Sequence, residues 1–423
     1  MKKKMSAMIS FALICTLVFA LAGCSSKSSS GSKNAGKEIV FWNPFTGPDG
    51  KNMQKIIDDY NKTNPEYKVK NVSLKEQDMY TKIPTVVNSG KNIPDVTIVH
   101  AERIKQFVAN DMLTPLDDSL TNYPDIKAEN YVKAGWDIGD LDGKRYSVPL
   151  DVHSFVMYYN KKLVDKYAPN ALDDNVVTFD EIKQAGDLAK KDDIKAMGLT
   201  WMRPIFLSIY NQMGGDITSD GEAPTLDTKE AADTLKFLKS LVNDKYTNKD
   251  GQDPGQLFKS GKAIFYPEGI WMQNGLNEVK SLEWGLTNFP QLSEDKIVNW
   301  SSSHQFVMFN SKERNESKSE GVIKFLDYIR QNSLPWAEAG QNPAALATLE
   351  DEKFQNLPQS FLVKDQKQQE TLKIFDYQYN GFVADEIDKF AGDAAFGKVK
   401  IEDALKKSQK AVEDKISQSQ KKK

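Results

Sequence analysis

A repeated change of hydrophobic period constrains this chain more than any other feature. Ile39–Trp42 is a short apolar run, broken by Gly47-Pro48-Asp49-Gly50. Met53, Ile56, Ile57 and Tyr60 then recur at i, i+3, i+4 and i+7, which places them on one helix face. Asn64-Pro65 ends that pattern, and Lys68–Leu74 alternates with period two, as a half-buried strand does. Tyr80, Ile83, Val86 and Val87 predict a second helix in spite of Pro84. Asp95–His100 reads as a buried strand, and Ile104, Phe107 and Val108 begin a third helix. Strands and helices in this alternation bury their apolar faces as βαβ units, so the fold class is α/β.

The pattern continues beyond the first hundred residues. Tyr146–Tyr159 is a mainly apolar stretch, long for one strand, and predicts a segment that bridges two domains. Thr178-Phe179-Asp180-Glu181 is a capping box that opens a helix to about Lys191. Gly198–Trp201, Ala263–Tyr266 and Gln305–Phe309 read as strands. Asp227 and Glu230 open a helix with Ala231, Leu235, Leu238 and Val242 on one face, and Val322, Phe325, Leu326 and Ile329 mark another. Thr371–Phe390 and Ile401–Ile416 read as helical, and no internal repeat is present. At roughly 150 residues per domain, 423 residues predict two domains.

Composition narrows the function classes. The chain is 39% hydrophobic and 27% charged, with a formal net charge of −3, which gives no electrostatic reason to expect a nucleic acid partner. Both cysteines, Cys15 and Cys24, lie close to the N-terminus, so the body has neither a disulfide nor a thiolate metal site. Lys2–Lys4 followed by apolar residues from Met5 to about Leu21 reads as a secretory signal. Leu21-Ala22-Gly23-Cys24 resembles the lipobox of bacterial lipoproteins. That resemblance implies a signal peptide over 1–23, lipid on Cys24, and a flexible polar tether over 24–36. The expected location is the cell membrane, lipid-anchored on its extracellular or periplasmic face.

There is no GxGxxG, P-loop, GxSxG, HExxH or CxxC motif, so no cofactor, metal centre or catalytic set is expected. Asp216–Asp227 loosely mimics a calcium loop, but Pro224 intrudes and the final position is Asp, so a Gly/Asp-rich turn is the plainer reading. Tyr158-Tyr159 has the look of an iron-binding tyrosine pair and fits packing better. No local pattern singles out a glycosidase carboxylate pair. Five segments join an aromatic or apolar element to a turn with polar groups: 42–46, 100–103, 149–154, 201–206 and 266–273, with 300–304 a sixth. Strand ends and the loops after them line the ligand crevice in alternating folds, and flat rings beside hydrogen-bonding side chains suit sugars.

These landmarks, in this order, resemble the large sugar-binding family of ABC-importer solute-binding proteins that includes maltose-binding protein. The residues that carry the likeness are Ile39–Trp42 with its glycine turn, Gly90 through Pro94-Asp95-Val96, and Asp142-Gly143-Lys144 through Pro149 to Tyr158-Tyr159-Asn160-Lys161. Gly214-Gly215 and Phe258-x-x-Gly261-Lys262-Ala263 leading to Gly269-Ile270-Trp271 complete the set. The resemblance implies a periplasmic-binding-protein-like fold of two α/β lobes joined by crossover hinge strands, with the ligand cleft between them. By that analogy the N-terminal lobe is 37–150 plus 303–345 and the C-terminal lobe is 151–302 plus 346–423. It implies no enzyme but a monomeric receptor that captures a sugar or oligosaccharide and delivers it to ABC permease subunits driven by a separate ATPase. A non-sugar solute such as a glycerophosphodiester is the alternative, and a surface glycosidase a more distant one. Glu102, Arg103 and Trp271 match ligand-contacting positions of the family, and Asp151 and His153 lie just past Pro149 on the strand that passes the crevice; Trp42, Asn43, Thr46, Trp201, Arg203 and His304 are candidates from position. His153 stands where maltose-binding protein has Glu, Val99 where it has a stacking Trp, and Ile205 where it has Tyr, so a specificity other than maltodextrin is expected.

Overall fold

The computed structural model describes residues 37–172, 176–294 and 296–421. The signal, tether and Cys24 expectations fall outside the described residues. No helix among the described residues is long and apolar enough to cross a membrane.

Two sheets organise the body. The first takes β1 (Lys37–Asn43), β2 (Tyr67–Ser73), β3 (Val96–His100), β4 (Ser147–Pro149) and, much later, β10 (His304–Val307). Its order is β2-β1-β3-β10-β4, with β1 parallel to both neighbours and β10 antiparallel to β3 and β4. The second takes β5 (His153–Asn160), β6 (Lys195–Met197), β7 (Ala263–Gly269), β8 (Trp284–Asn288), β9 (Asn299–Ser302) and β11 (Leu372–Ile374). Its order is β11-β9-β5-β7-β6, with β8 paired to β5.

The helices used below are α1 (Gly47–Lys62), α2 (Glu76–Ser89), α3 (Ala101–Ala109), α4 (Phe179–Ala189), α5 (Met202–Gln212), α6 (Lys229–Asn243), α7 (Glu316–Gln331), α8 (Asn380–Ala395) and α9 (Ile401–Gln420). Each exists for a legible local reason. Met53, Ile56, Ile57 and Tyr60 of α1 are buried, and Pro48 sits in its first turn, where no N–H is needed. Thr178 and Glu181 close the capping box of α4. Ile39, Phe41 and Phe306 of the first sheet pack on α1 and α7, while Val99 and Val307 face α2 and α3. In the second sheet β5 is buried on both faces, which is why its centre, Phe155–Tyr159, is continuously apolar.

The apolar stretch 146–159 does bridge the two sheets: β4 belongs to the first and β5 to the second. The chain returns at 302–304, from β9 to β10. The crossings lie side by side, since Ser303 Oγ donates to the Asp151 carbonyl at 2.6 Å. Asp151 also bridges to Pro343, so a third segment passes the same place. Three local expectations differ. The strand expected at 198–201 lies at Lys195–Met197, because the chain must turn at Gly198 to set Trp201 as the residue before α5. Thr228, not Asp227, caps α6 by accepting the Ala231 N–H. The helix expected from 371 begins only at Asn380: Leu372–Ile374 instead pairs with the edge of β9, a long-range choice that local periodicity does not encode.

Candidate functional site

Beside the crossings lies a cavity of about 400 Å³. Its wall takes Phe45, Thr46 and Asp49 from the start of α1, Glu76 from α2, His100 from the end of β3, and His153 and His304 from the crossings. Trp201, Glu268, Trp271 and Gln341 complete the polar and aromatic lining. No lysine or arginine lines it among the described residues.

Asp151 organises the centre. It is fully buried and accepts four N–H groups: His153 Nδ1 at 3.0 Å, His304 Nδ1 at 2.7 Å, the His304 backbone at 3.1 Å and Trp336 Nε1 at 2.8 Å. Burial pushes its carboxyl up, but the His304 and His153 rings with their hydrogen bonds outweigh this and hold it well below the usual carboxylate range. The donor atoms of Asp151, His153 and His304 all lie within 4.8 Å of one another, a spacing that suits a metal ion. Each carboxylate oxygen already takes two N–H groups, however, so the hydrogen bonds are those of a carboxylate orienting two imidazoles. Burial lowers both His100 and His304 to about 4, so both are neutral at physiological pH.

Trp201 and Trp271 form the aromatic wall, ring centroids 6.2 Å apart. Trp271 lies flat against the end of β7 because residue 269 is glycine. A Cβ there would sit 2.1 Å from two atoms of the indole. Trp201 donates its Nε1–H to Asp388 at 2.9 Å, and Arg203 covers one of its faces at 4.5 Å. Glu268 and Asp49 carry carboxyls pushed up to about 7, chiefly by burial. Asp49 accepts from Gln341 at 3.0 Å through one oxygen; its other oxygen is buried with no hydrogen-bond partner among the described residues. Burial also raises the Glu76 carboxyl.

The remaining expected residues divide. Glu102 and Arg103, at the start of α3, link the sheets rather than line the cavity. Glu102 accepts from Ser302 at 2.9 Å and meets Arg203 at 3.5 Å. Burial alone would raise its carboxyl; His100, Arg203 and Arg103 bring it down to about 2. Arg103 pairs with Asp385 of α8 at 2.6 Å and stacks over Tyr80. Asn43 is buried beneath the turn into α1, bonded to Asn71 and to the Phe45 N–H, and Trp42 packs against the core between the first sheet and α2 and α3. Neither reaches the cavity wall. His100, Asp49, Glu76, Glu268 and Gln341 were not expected. His100 and Glu268 fall inside segments singled out by their aromatic and polar mix. Asp49 falls in the Gly47–Gly50 turn signal, and nothing local marks Glu76 or Gln341. In the Asp216–Asp227 turn the carboxylates do not converge: Asp216 pairs with Lys373 and Asp220 accepts two backbone N–H groups. Tyr158 and Tyr159 point to opposite faces of β5, so they form no common site.

A two-lobed α/β body with a polar, aromatic-walled cavity at its crossings defines a ligand-capturing protein. The model of the bacterial extracellular solute-binding protein family matches residues 46–333, and the chain belongs to that family. It is 28% identical over 249 residues to an arabinooligosaccharide-binding protein of Bacillus subtilis, covering 58% of this chain and 56% of that one. The match to a second protein of that description, from Halalkalibacterium halodurans, covers 46% of it, so the chain spans about half the length of these two curated relatives. A galactooligosaccharide-binding protein of Bacillus subtilis is 23% identical over 369 residues, covering 82% of this chain and 83% of that one. Among solved structures, an ABC substrate-binding protein of Listeria monocytogenes in complex with cycloalternan superposes with a TM-score of 0.76 at 19% identity, over 90% of this chain and 99% of that one. The maltose/maltodextrin-binding domain of Bdellovibrio bacteriovorus bound to maltotriose gives 0.75 at 19%, over 90% and 100%. The fold is that of these two-lobed binding proteins.

Proposed function

We propose that this chain is the extracellular substrate-binding component of an ABC importer for a sugar or oligosaccharide. The observation that carries the reading is the cavity itself: two indole faces above three histidines, ringed by carboxyls, with no cationic side chain on its wall. Indole faces pack on the C–H face of a sugar ring, and imidazoles and carboxyls match its hydroxyls. The names of the curated relatives point the same way. A second cavity of about 810 Å³, which Arg103, Arg203 and Lys389 also line, shares Glu76 and Trp201 with the first, which supports a ligand of more than one sugar unit.

The division into 37–150 plus 303–345 and 151–302 plus 346–423 remains our reading of the lobes; the strand change at 149–153 and at 302–304 supports it. Closure about these crossings captures the ligand and excludes water. Arg103–Asp385 and Lys105–Asp376, both at 2.6 Å, join α3 to α8 and to the loop before it, where closure would be latched. We read the protein as a monomer anchored by lipid on Cys24 that hands its ligand to permease subunits driven by a separate ATPase, with no bond broken. Of the two arginines a glycerophosphodiester would use, Arg103 is paired with Asp385 at 2.6 Å, and Arg203 meets Glu102 and Asp388 at 3.5 Å.

The test is a thermal-shift screen of the purified protein against arabino-, galacto- and malto-oligosaccharides, with glycerophosphodiesters and polyamines alongside. A sugar that binds raises the melting temperature by mass action. A flat response to all sugars with a shift from a phosphodiester would sink the reading.

A further inference from the structure

All three histidines of the chain stand on one cavity wall. Their ring centroids are 4.3 Å apart for His153–His304, 4.9 Å for His100–His304 and 6.1 Å for His100–His153. What such a trio offers a ligand depends on which nitrogen of each ring holds the proton, and the surrounding hydrogen bonds decide that.

An ionised carboxylate only accepts. Asp151 meets Nδ1 of His153 and Nδ1 of His304, so both Nδ1 atoms carry protons. Both rings cannot also be cationic. One buried carboxylate, already shared with the Trp336 indole and the His304 backbone, does not neutralise two imidazolium rings at 4.3 Å. Where a ring protonated at Nδ1 is neutral, its Nε2 presents a bare lone pair. His100 is set the other way. The Tyr80 hydroxyl accepts the His100 backbone N–H at 2.9 Å, which leaves its own proton for His100 Nδ1 at 2.6 Å. His100 therefore carries its ring proton on Nε2.

Resting on the sugar-binding reading, we propose that the trio is a hydroxyl-reading subsite. His153 and His304 accept hydrogen bonds from the ligand, His100 donates one, and Asp151 and Tyr80 act as positioning residues that fix this polarity. The chemistry that fits is an uncharged diol: two hydroxyls donate to the imidazoles, and one hydroxyl oxygen accepts from His100. A carboxylate or phosphate at the same place offers no proton to either lone pair. It also meets the carboxyls of Asp49, Glu76 and Glu268 without a compensating cation on the wall. The subsite thus takes neutral sugar units and rejects uronate or phosphorylated units of the same size.

Three histidines make the test direct. In ligand-free protein labelled with ¹⁵N-histidine, long-range ¹H–¹⁵N correlation spectra at pH 7 report the tautomer of each ring. His100→Gln, His153→Gln and His304→Gln assign the three signals by loss. The expected result is Nδ1–H for His153 and His304 and Nε2–H for His100. Nε2–H or an imidazolium at either residue 153 or 304 overturns the proposal, whatever the protein binds. Adding the neutral oligosaccharide that scores best in the sugar screen is expected to shift both bare Nε2 signals; no movement of either also overturns it. Calorimetry with a neutral oligosaccharide and its uronate counterpart is expected to show about 10–100-fold weaker uronate binding, and equal affinities refute the specificity. A panel in which no sugar binds sinks the sugar reading instead, with the tautomers still measurable.

Discussion

Replacing Asp151 by Asn tests how the cavity is held together. The change keeps the side-chain volume, so no cavity opens, and it removes the charge that four N–H groups share. The amide must put its NH₂ where one oxygen was. If it replaces Oδ1, it faces His153 Nδ1 and the His304 backbone N–H. If it replaces Oδ2, it faces His304 Nδ1 and the Trp336 indole. The imidazole can move its proton to the other nitrogen, but neither a backbone N–H nor an indole can. One buried donor therefore faces another in either orientation. Hydrogen bonds to charged groups are worth about 1.5–3 kcal/mol each and neutral ones about 0.5–1.5, so one bond lost and the others made neutral cost about 3–6 kcal/mol. Relief from burying a charge offsets part of this, leaving roughly 3–4 kcal/mol. At about 2.1 cal/mol/K per residue over roughly 390 residues, the melting temperature should fall by about 4–5 °C. Differential scanning calorimetry at pH 7 measures this directly. A melting temperature within about 1 °C of wild type would refute the account of Asp151 as an ionised, four-fold acceptor.

Other outcomes follow from the same geometry. His100 and His304 are held at about 4 against an ordinary 6.5, so the unfolded chain binds more protons between those values and stability falls as pH drops through that window. Glu268 and Asp49, at about 7, act in the opposite sense: the folded state keeps protons the unfolded chain has shed, and stability falls as pH rises towards 7. Glu268→Gln removes one opposing group, so its stability relative to wild type should rise between pH 4 and pH 8. Urea midpoints across that range check it, and parallel curves would count against the raised carboxyl. Gly269→Ala places a Cβ into the Trp271 ring and should weaken ligand binding about tenfold or more by turning the indole off the wall, with calorimetry as the measure. Trp271→Ala should cost a similar or larger factor, and an unchanged affinity in both would remove Trp271 from the site. Asp385→Asn weakens the α3–α8 ion pair; ligand affinity should fall about 2–5-fold, the effect of a partly exposed pair, with the loss shrinking at high salt.

The sequence by itself determined the class of fold. Local periodicity and capping carried α1, α2, α3, α4 and α9, because their apolar faces repeat at helical spacing whatever they pack against. The long, mainly apolar stretch at 146–159 marks the bridge between sheets, since a strand covered on both sides reads that way. His153, His304, Trp201 and Trp271, which stand on the cavity wall, fall in segments that the sequence marks by aromatic and polar residues near strand ends. Tertiary structure alone decided the rest. The edge of β9 converted Leu372–Ile374 from expected helix to strand. Burial turned Asn43 into a turn anchor and Asp151 into the group that orients two histidines. Convergence of β3 and the two crossings gathered His100, His153 and His304, separated by 53 and 151 residues along the chain, into one cluster, two of them on one carboxylate. Sequence carries what a segment prefers; which oxygen a distant N–H will find, and which ring nitrogen is left bare, exists only once the chain has closed on itself.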